Sequence, residues 1–377
     1  MPRRITIIDI AARAGVHFTT VGRALNGDPR VNVETRSKIE KIAVELGYSR
    51  DPMLSALSAY RKAQKPTTYH ENIAWITSYP TRDGWRMGTF CIFFEGAAKR
   101  ASELGFRLEE FWIKEPGMTS RRASSVLSSR GIHGLIIAPL PAARGHLSLN
   151  WDHFSSVAFD ISRPRLPIVI TCHFRDMINA VRHLKGLGHR RLGYANSSHI
   201  DERTAHQWKA AFWSETQGIP KNQQIPILSE HPFQRERFLA WFERNRPTAI
   251  LSSDPLKIGG RILTWLREAG YSVPGDVSVA LFNILEEDQM HTGIKDNSFQ
   301  VGEAAVDFLA GLLREGKRGV PEHRSHLFIE GKWVDGATVG RCPAKGQFYP
   351  PRRVSAASLP AAHRRPRTVR SSPSRIT

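Results

Sequence analysis

The chain has 377 residues, 41% hydrophobic and 24% charged, with 54 lysines and arginines against 35 aspartates and glutamates, a formal net charge of +19. This composition buries a core and excludes a wholly disordered chain, the length calls for two or more folding units, and the positive balance points to a polyanionic partner, nucleic acid first. No run of about 18 apolar residues is present, and the opening MPRRITIIDIAARAG breaks its apolar stretch with Asp9 and Arg13, unlike a signal peptide, so no membrane is expected and the expected location is cytoplasmic, at the nucleoid.

Residues 7–27, IIDIAARAGVHFTTVGRALNG, read as two short helices joined by a tight turn. Thr6 and Asp9 have capping-box spacing, and Ile7, Ile10, Ala11 and Ala14 recur on one helical face. Gly15 suits the positive φ of a helix stop, and Val16 and Val21 fill the angle between the helices. The second helix, roughly residues 18–25, turns Val21, Ala24 and Leu25 inward and leaves Phe18, Thr19, Gly22 and Arg23 outward, where a major groove would lie. Asn32 caps a third helix carrying Val33, Ile39, Ile42, Ala43 and Leu46, and Gly47 ends it. The alternative, a helical hairpin in an ordinary all-α domain, leaves the exposed Thr19, Thr20 and Arg23 among basic flanks unexplained.

On these residues the sequence resembles the LacI/GalR family of bacterial transcription regulators, over nearly everything from residue 5 to about 340. The resemblance implies sequence readout by Phe18, Thr19 and Arg23, with Arg23 suited to a bidentate contact with guanine and Phe18 to a thymine methyl. Thr6, His17, Thr20 and Asn26 complete the headpiece candidates for DNA contact. His17 stands where the family commonly has serine, and Gly22 where a serine usually contacts phosphate, so details of the operator are expected to differ.

The segment after Tyr48 places Pro52 at a first helical position, followed by Met53, Leu54, Ala56 and Leu57, a short amphipathic hinge helix. The resemblance implies that two such helices pair in a dimer and wedge a leucine, here Leu57, into the minor groove. Packing of Leu57 against the following domain is the alternative.

From Asn72 the pattern changes to apolar strands alternating with amphipathic helices, a doubly wound α/β arrangement. The expected strands lie in NIAWITSYP, IHGLIIAPL, SSVAFD, LPIVITC, RLGYAN, PTAILSSD, DVSVALFN and HLFIE, and the expected helices in residues 94–106, MINAVRHLKGLGH and IGGRILTWLREAGY. HLKGLGHRRLGYA, PTAILSSD and VPGDVSVALFN are similar to landmarks of the same family. The implied fold is two Rossmann-like lobes of the periplasmic-binding-protein kind, with three chain crossings and a ligand cleft at the C-terminal ends of the strands. The expected ligand is a small polar effector, a sugar or derivative. Arg203, Ser253, Asp254 and Asn283 are its polar candidates, and Tyr79, Trp85 and Phe90 a stacking face, although core packing is the commoner fate of a tryptophan. Ser253 replaces a common asparagine and Asn283 a common aspartate, so the pocket loses a charge.

The domains expected are a helix-turn-helix headpiece at 1–50, hinge and linker at 51–71, a sensor and dimerisation domain at 72–340, and a basic disordered tail at 341–377. That tail is either a solubilising extension or an auxiliary phosphate-binding arm. Cys91, Cys172 and Cys342 lack metal-ligand spacing and read as free thiols, with no metal or cofactor expected. No phosphate-cradling loop, GxSxG elbow or HExxH motif suggests an enzyme. The function expected is a ligand-responsive homodimeric regulator, a repressor binding a palindromic operator near carbohydrate-related genes. The rivals are a DNA-binding protein with a degenerate pocket and a pure ligand-binding protein.

Overall fold

A computed structural model describes residues 5–25, 30–48, 71–143, 145–159, 164–254, 256–285 and 287–342. Asn26, the expected hinge helix with Leu57, and the tail beyond Cys342 lie outside the described residues.

The headpiece has helices α1 (Ile7–Ala14), α2 (Phe18–Leu25) and α3 (Val33–Glu45), as the spacing predicts. The Asp9 carboxylate accepts the Thr6 backbone N–H at 2.8 Å and the Thr6 hydroxyl at 2.7 Å, holding the first turn of α1. Gly15 ends that helix at φ 68°, and the Asn32 side chain accepts the Glu34 N–H at 3.1 Å to start α3. Ile10, Ala14, Val21, Ala24, Ile39 and Ala43 close a small core between the three helices.

The first α/β lobe is built from β1 (Glu71–Thr77), α4 (Thr89–Glu103), β2 (Phe106–Trp112), α5 (Ser120–Ser129), β3 (Gly134–Ile137), β4 (Ser155–Ala158) and β5 (Ile168–Thr171). The second follows with α6 (His173–Gly186), β6 (Leu192–Ser197), α7 (Ser198–Arg203), α8 (Gln207–Thr216), β7 (Leu228–Glu230), α9 (Arg235–Asn245), β8 (Ala249–Ser252), α10 (Ile258–Glu268), β9 (Ser278–Ile284) and β10 (Thr292–Lys295). The chain then returns to the first lobe as α11 (Ser298–Glu315) and β11 (His326–Ile329), and ends in the second as β12 (Lys332–Val334). The three crossings therefore fall after Thr171, Lys295 and Ile329.

Both sheets use the same order: β2-β1-β3-β4-β5-β11 in one lobe and β7-β6-β8-β9-β10-β12 in the other, with the β10–β12 pair alone among these antiparallel. Strand alternation buries both faces: Ile73 and Trp75 of β1 pack under α4 and α11, while Ala74 and Ile76 face the cluster that includes Ala123 and Leu127 of α5. Because β5, β10 and β11 each run into a crossing, the C-terminal edges of the two parallel sheets face one another across a cleft.

The structure corrects the sequence reading in several places. Helix α4 begins at Thr89, five residues before the expected start, because Phe93 joins Ala97 and Ala101 on its buried face. Strands β2, β7, β10 and β12 were absent from the expected set. Three of them are sheet edges, paired on one side only, and edge strands such as FRLEEFW tolerate exposed charge that obscures alternation. The Cys342 backbone N–H donates to the Leu187 carbonyl at 3.0 Å. All three cysteines are unbridged.

Candidate functional site

The reading face of α2 follows from its burial pattern. Val21 and Ala24 point into the headpiece core, so Phe18, 46% exposed, and Thr19 and Arg23 stand on the open side. His17 prepares that face. Its carbonyl accepts the Thr20 and Val21 N–H groups at 2.9 and 3.3 Å, and its Nδ1 lies 2.8 Å from Thr19 Oγ1 and 3.4 Å from the Thr19 N–H. The imidazole thus takes the place of a hydroxyl cap, and its ring packs tilted against Phe18 at 4.3 Å between centroids. Thr6 is engaged with Asp9 and Thr20 is half-buried. A Cβ at Gly22 would meet nothing within 4 Å, so protein packing does not demand glycine there.

The second site is the cleft. In each lobe the strand order reverses between the first and third strands, at β1/β3 and at β6/β8, and ligands of doubly wound sheets sit outside such switch points. Arg203, in the turn of helix directly after β6, donates to the Leu140 carbonyl just after β3 at 2.9 Å, joining the two switch points across the cleft. Its guanidinium also lies 5.7 Å from the Phe90 ring centroid. Arg203 is positioned from beneath: the buried Asp201 carboxylate accepts the hydroxyls of Tyr194 and Ser229, fixing α7 against β6 and β7.

The other polar candidates cluster at the same edge. Ser253 and Asp254 follow β8, and Asn283 sits near the end of β9 at φ 57°, where an extra residue on β9 shifts its register against β10. Asparagine tolerates this left-handed conformation, and bulges of this kind re-aim side chains beside sites. Ser253 Oγ, Asp254 Oδ1 and Asn283 Oδ1 are buried and have no hydrogen-bond partner. Burial pushes the Asp254 carboxyl up, partly countered by the Lys257 ammonium 3.7 Å away.

Of the expected stacking face, Phe90 meets Arg203 and Tyr79 is nearly buried, its carbonyl accepting the Trp112 indole N–H at 2.8 Å. Trp85 is a correction: it is 0% exposed within the core of the first lobe, 5.4 Å from Trp75 and 5.2 Å from Phe94 between ring centroids. The apolar cluster of the α4 face holds it where surface stacking was expected.

Sequence reasoning missed several residues at this edge. Trp208 stacks on Phe282 at 4.8 Å and meets His173 edge-on at 5.0 Å, and neither the Trp208 indole nitrogen nor His173 Nδ1 has a partner. Burial holds the His173 imidazole down at about 4, keeping it neutral. Asp176, on the first turn of α6, accepts the Gly331 N–H at 2.8 Å through Oδ1 and leaves Oδ2 unpartnered; burial pushes its carboxyl up to about 7. Asp296, at the second crossing, is raised well above the carboxylate range by burial and by Asp176 and Asp254. The DMINAV and IKDNSF strings carry no signal of this burial, which only the fold imposes.

The family model for bacterial regulatory proteins of the lacI family matches residues 6–51, and that of the periplasmic binding protein-like domain matches residues 181–339. The chain is 26% identical to the HTH-type transcriptional regulator DegA of Bacillus subtilis, over 74% of this chain and 82% of that one. It is 26% identical to the HTH-type transcriptional repressor MelR of Bacillus subtilis (85% and 94% covered) and 24% to the lactose operon repressor of Escherichia coli (82% and 84%). Its fold is similar to that of the Lac repressor bound to ONPG, with a TM-score of 0.52 at 21% identity over 89% of this chain and 100% of the other. A LacI-family regulator from Rhizobium etli gives 0.54 at 18% identity, covering 71% and 99%. A reading helix on a three-helix headpiece, followed by a two-lobed cleft, defines a ligand-responsive, DNA-binding transcriptional regulator. The chain belongs to the lacI family of bacterial regulatory proteins.

Proposed function

We propose that this regulator works in the cytoplasm as a homodimeric repressor of carbohydrate-related genes, without enzymatic activity, binding a palindromic operator and releasing or gripping it as a small polar effector changes the cleft. The observation that carries the reading is the Arg203–Leu140 bond between the two switch points, because an effector entering there must displace or reinforce the contact of Arg203 with the Leu140 and Pro141 carbonyls across the cleft. The names of MelR and the lactose operon repressor, both repressors, support the direction of regulation. No described helix is long and apolar enough to cross a membrane.

In this reading residues 1–50 read DNA, 51–71 couple, 72–340 sense and dimerise, and 341–377 form the basic tail. Phe18, Thr19 and Arg23 read bases, with Thr6, His17, Thr20 and Asn26 around them and Leu57 at the operator centre. Tyr79, Phe90, Arg203, Ser253, Asp254 and Asn283 meet the effector. Differential affinity of the effector for two cleft states shifts operator affinity, and linkage makes the effect reciprocal.

The test is selection of duplexes from a random pool by the full chain at near-physiological salt. A palindrome with a flexible central pyrimidine-purine step is expected; bulk, salt-sensitive binding with no enriched motif overturns the reading. Arg23→Ala is then expected to weaken binding to the selected duplex roughly ten- to hundredfold, about 1–3 kcal/mol, and to relax preference at one base pair per half-site. Fluorescence anisotropy on matched and mutated duplexes measures both.

A further inference from the structure

We infer that the effector carries a protonated amine, as an amino sugar or a related polyhydroxylated amine does, seated among Asp176 beside the first crossing, Asp296 at the second and Asp254 after β8, along the C-terminal edge of the second sheet. The inference rests on the cleft being the effector site and adds the charge of its ligand.

The argument begins with unmatched acceptors. Asp176 is 1% exposed and its Oδ2 has no partner; Asp254 Oδ1 and Asn283 Oδ1 have none either. Asp296, 8% exposed, forms no hydrogen bond or ion pair with a described residue and feels both other carboxylates. Independently of these acids, the hydroxyls of Ser253 and Ser298 are more than nine-tenths buried and unpartnered at the same edge, one beside Asp254 and the other two residues after Asp296. Buried polar groups are ordinarily satisfied, so a set of orphans along one sheet edge marks a space meant for a polar molecule.

The character of that molecule follows from the charge count. Glu330 adds a fourth acid, but Arg175 lies 3.4 Å from it, and Lys257 is 3.7 Å from Asp254. Arg203 is committed to the Leu140 carbonyl. Among the described residues no cation is paired with Asp176 or Asp296. An ionised carboxylate only accepts; an ammonium offers three donors and a charge, whereas a neutral hydroxyl offers one donor and no charge. Like charges buried together are relieved by a cation between them. Among the described residues no group of three or more His, Cys, Asp or Glu is arranged to hold a metal ion. The two serine hydroxyls and Asn283 suit the hydroxyl groups of the same molecule.

The test uses the full chain and matched probes: glucose against glucosamine, galactose against galactosamine, mannose against mannosamine. Binding is read by calorimetry at pH 6.5, where the free amines are protonated, in phosphate and in ACES, two buffers of different ionisation enthalpy. At least one amine is expected to bind about tenfold or more tighter than its neutral parent, with protons released as the acids ionise. Asp296→Asn is expected to remove that preference and reduce the proton release; Asp254→Asn serves the same purpose if the first variant fails to fold. Neutral sugars binding as tightly as their amines, or an amine preference untouched in a folded variant, would overturn the inference while leaving the cleft as a sugar site. Binding by neither set removes both the sugar-like effector and its charge, without touching operator recognition.

Discussion

Asp176→Asn is expected to stabilise the ligand-free protein at neutral pH and to leave it nearly unchanged at pH 4. Burial raises the Asp176 carboxyl in the folded chain from 3.8 to about 7, so the folded state holds its proton more tightly than the unfolded state does. Between those values the unfolded state binds fewer protons, and stability falls as pH rises. The stability due to the protonated acid is fully present below about pH 4 and lost by pH 7 and above. At about 1.4 kcal/mol per pKa unit the loss is roughly 4 kcal/mol. Asparagine keeps an acceptor for the Gly331 N–H and carries no charge, so its stability curve lacks that slope. His173 works in the opposite sense: its folded value of about 4 lies below the ordinary 6.5, so its contribution is present above 6.5 and lost as pH falls towards 4. The wild-type curve mixes these two with Asp254 and Asp296, and subtracting the variant gives Asp176 together with its coupling to Asp296. Urea unfolding of both proteins from pH 4 to pH 8 measures the difference, and parallel curves would show that Asp176 is not held protonated by the fold.

Gly96→Val is expected to cost at least about 3 kcal/mol and to lower the unfolding midpoint of the sensor domain. Helices α4 and α11 cross backbone to backbone: a Cβ at Gly96 would stand 2.0 Å from the Phe299 carbonyl oxygen, and one at Gly302 would stand 2.1 Å from the Phe93 carbonyl oxygen. No rotamer relieves a clash with a carbonyl, so the helices must separate and open the cluster of Trp75, Trp85 and Phe93 that they cover. Gly22→Ala supplies the contrast, since its Cβ meets open space and alanine is the better helix former by up to about 1 kcal/mol. Thermal melts that ranked these two variants the other way would show that α4 and α11 are not close-packed as described.

The headpiece was legible residue by residue because its information is local. Gly15, Asn32 and the capping pair Thr6 and Asp9 act on backbone within a few positions of themselves, and a 3.6-residue period declares which side of α2 remains outside. The alternation of strands and helices likewise announced two doubly wound lobes. Residues at strand ends, Arg203, Ser253, Asp254 and Asn283, could be nominated on the rule that such folds bind ligands there and on family resemblance.

What the sequence determined, then, was whatever depends on neighbours a turn or a strand away: the helix caps, the reading face with Phe18, Thr19 and Arg23, and the class of fold. Only the tertiary structure decided what depends on groups brought together from distant segments. It placed Trp85 in a core, tied Arg203 to the Leu140 carbonyl, and gathered Asp176, Asp254 and Asp296 near one edge. The physical reason is that burial and Coulomb interaction act through space: a carboxylate is ordinary along the chain and becomes costly only when folding removes its water and sets another beside it.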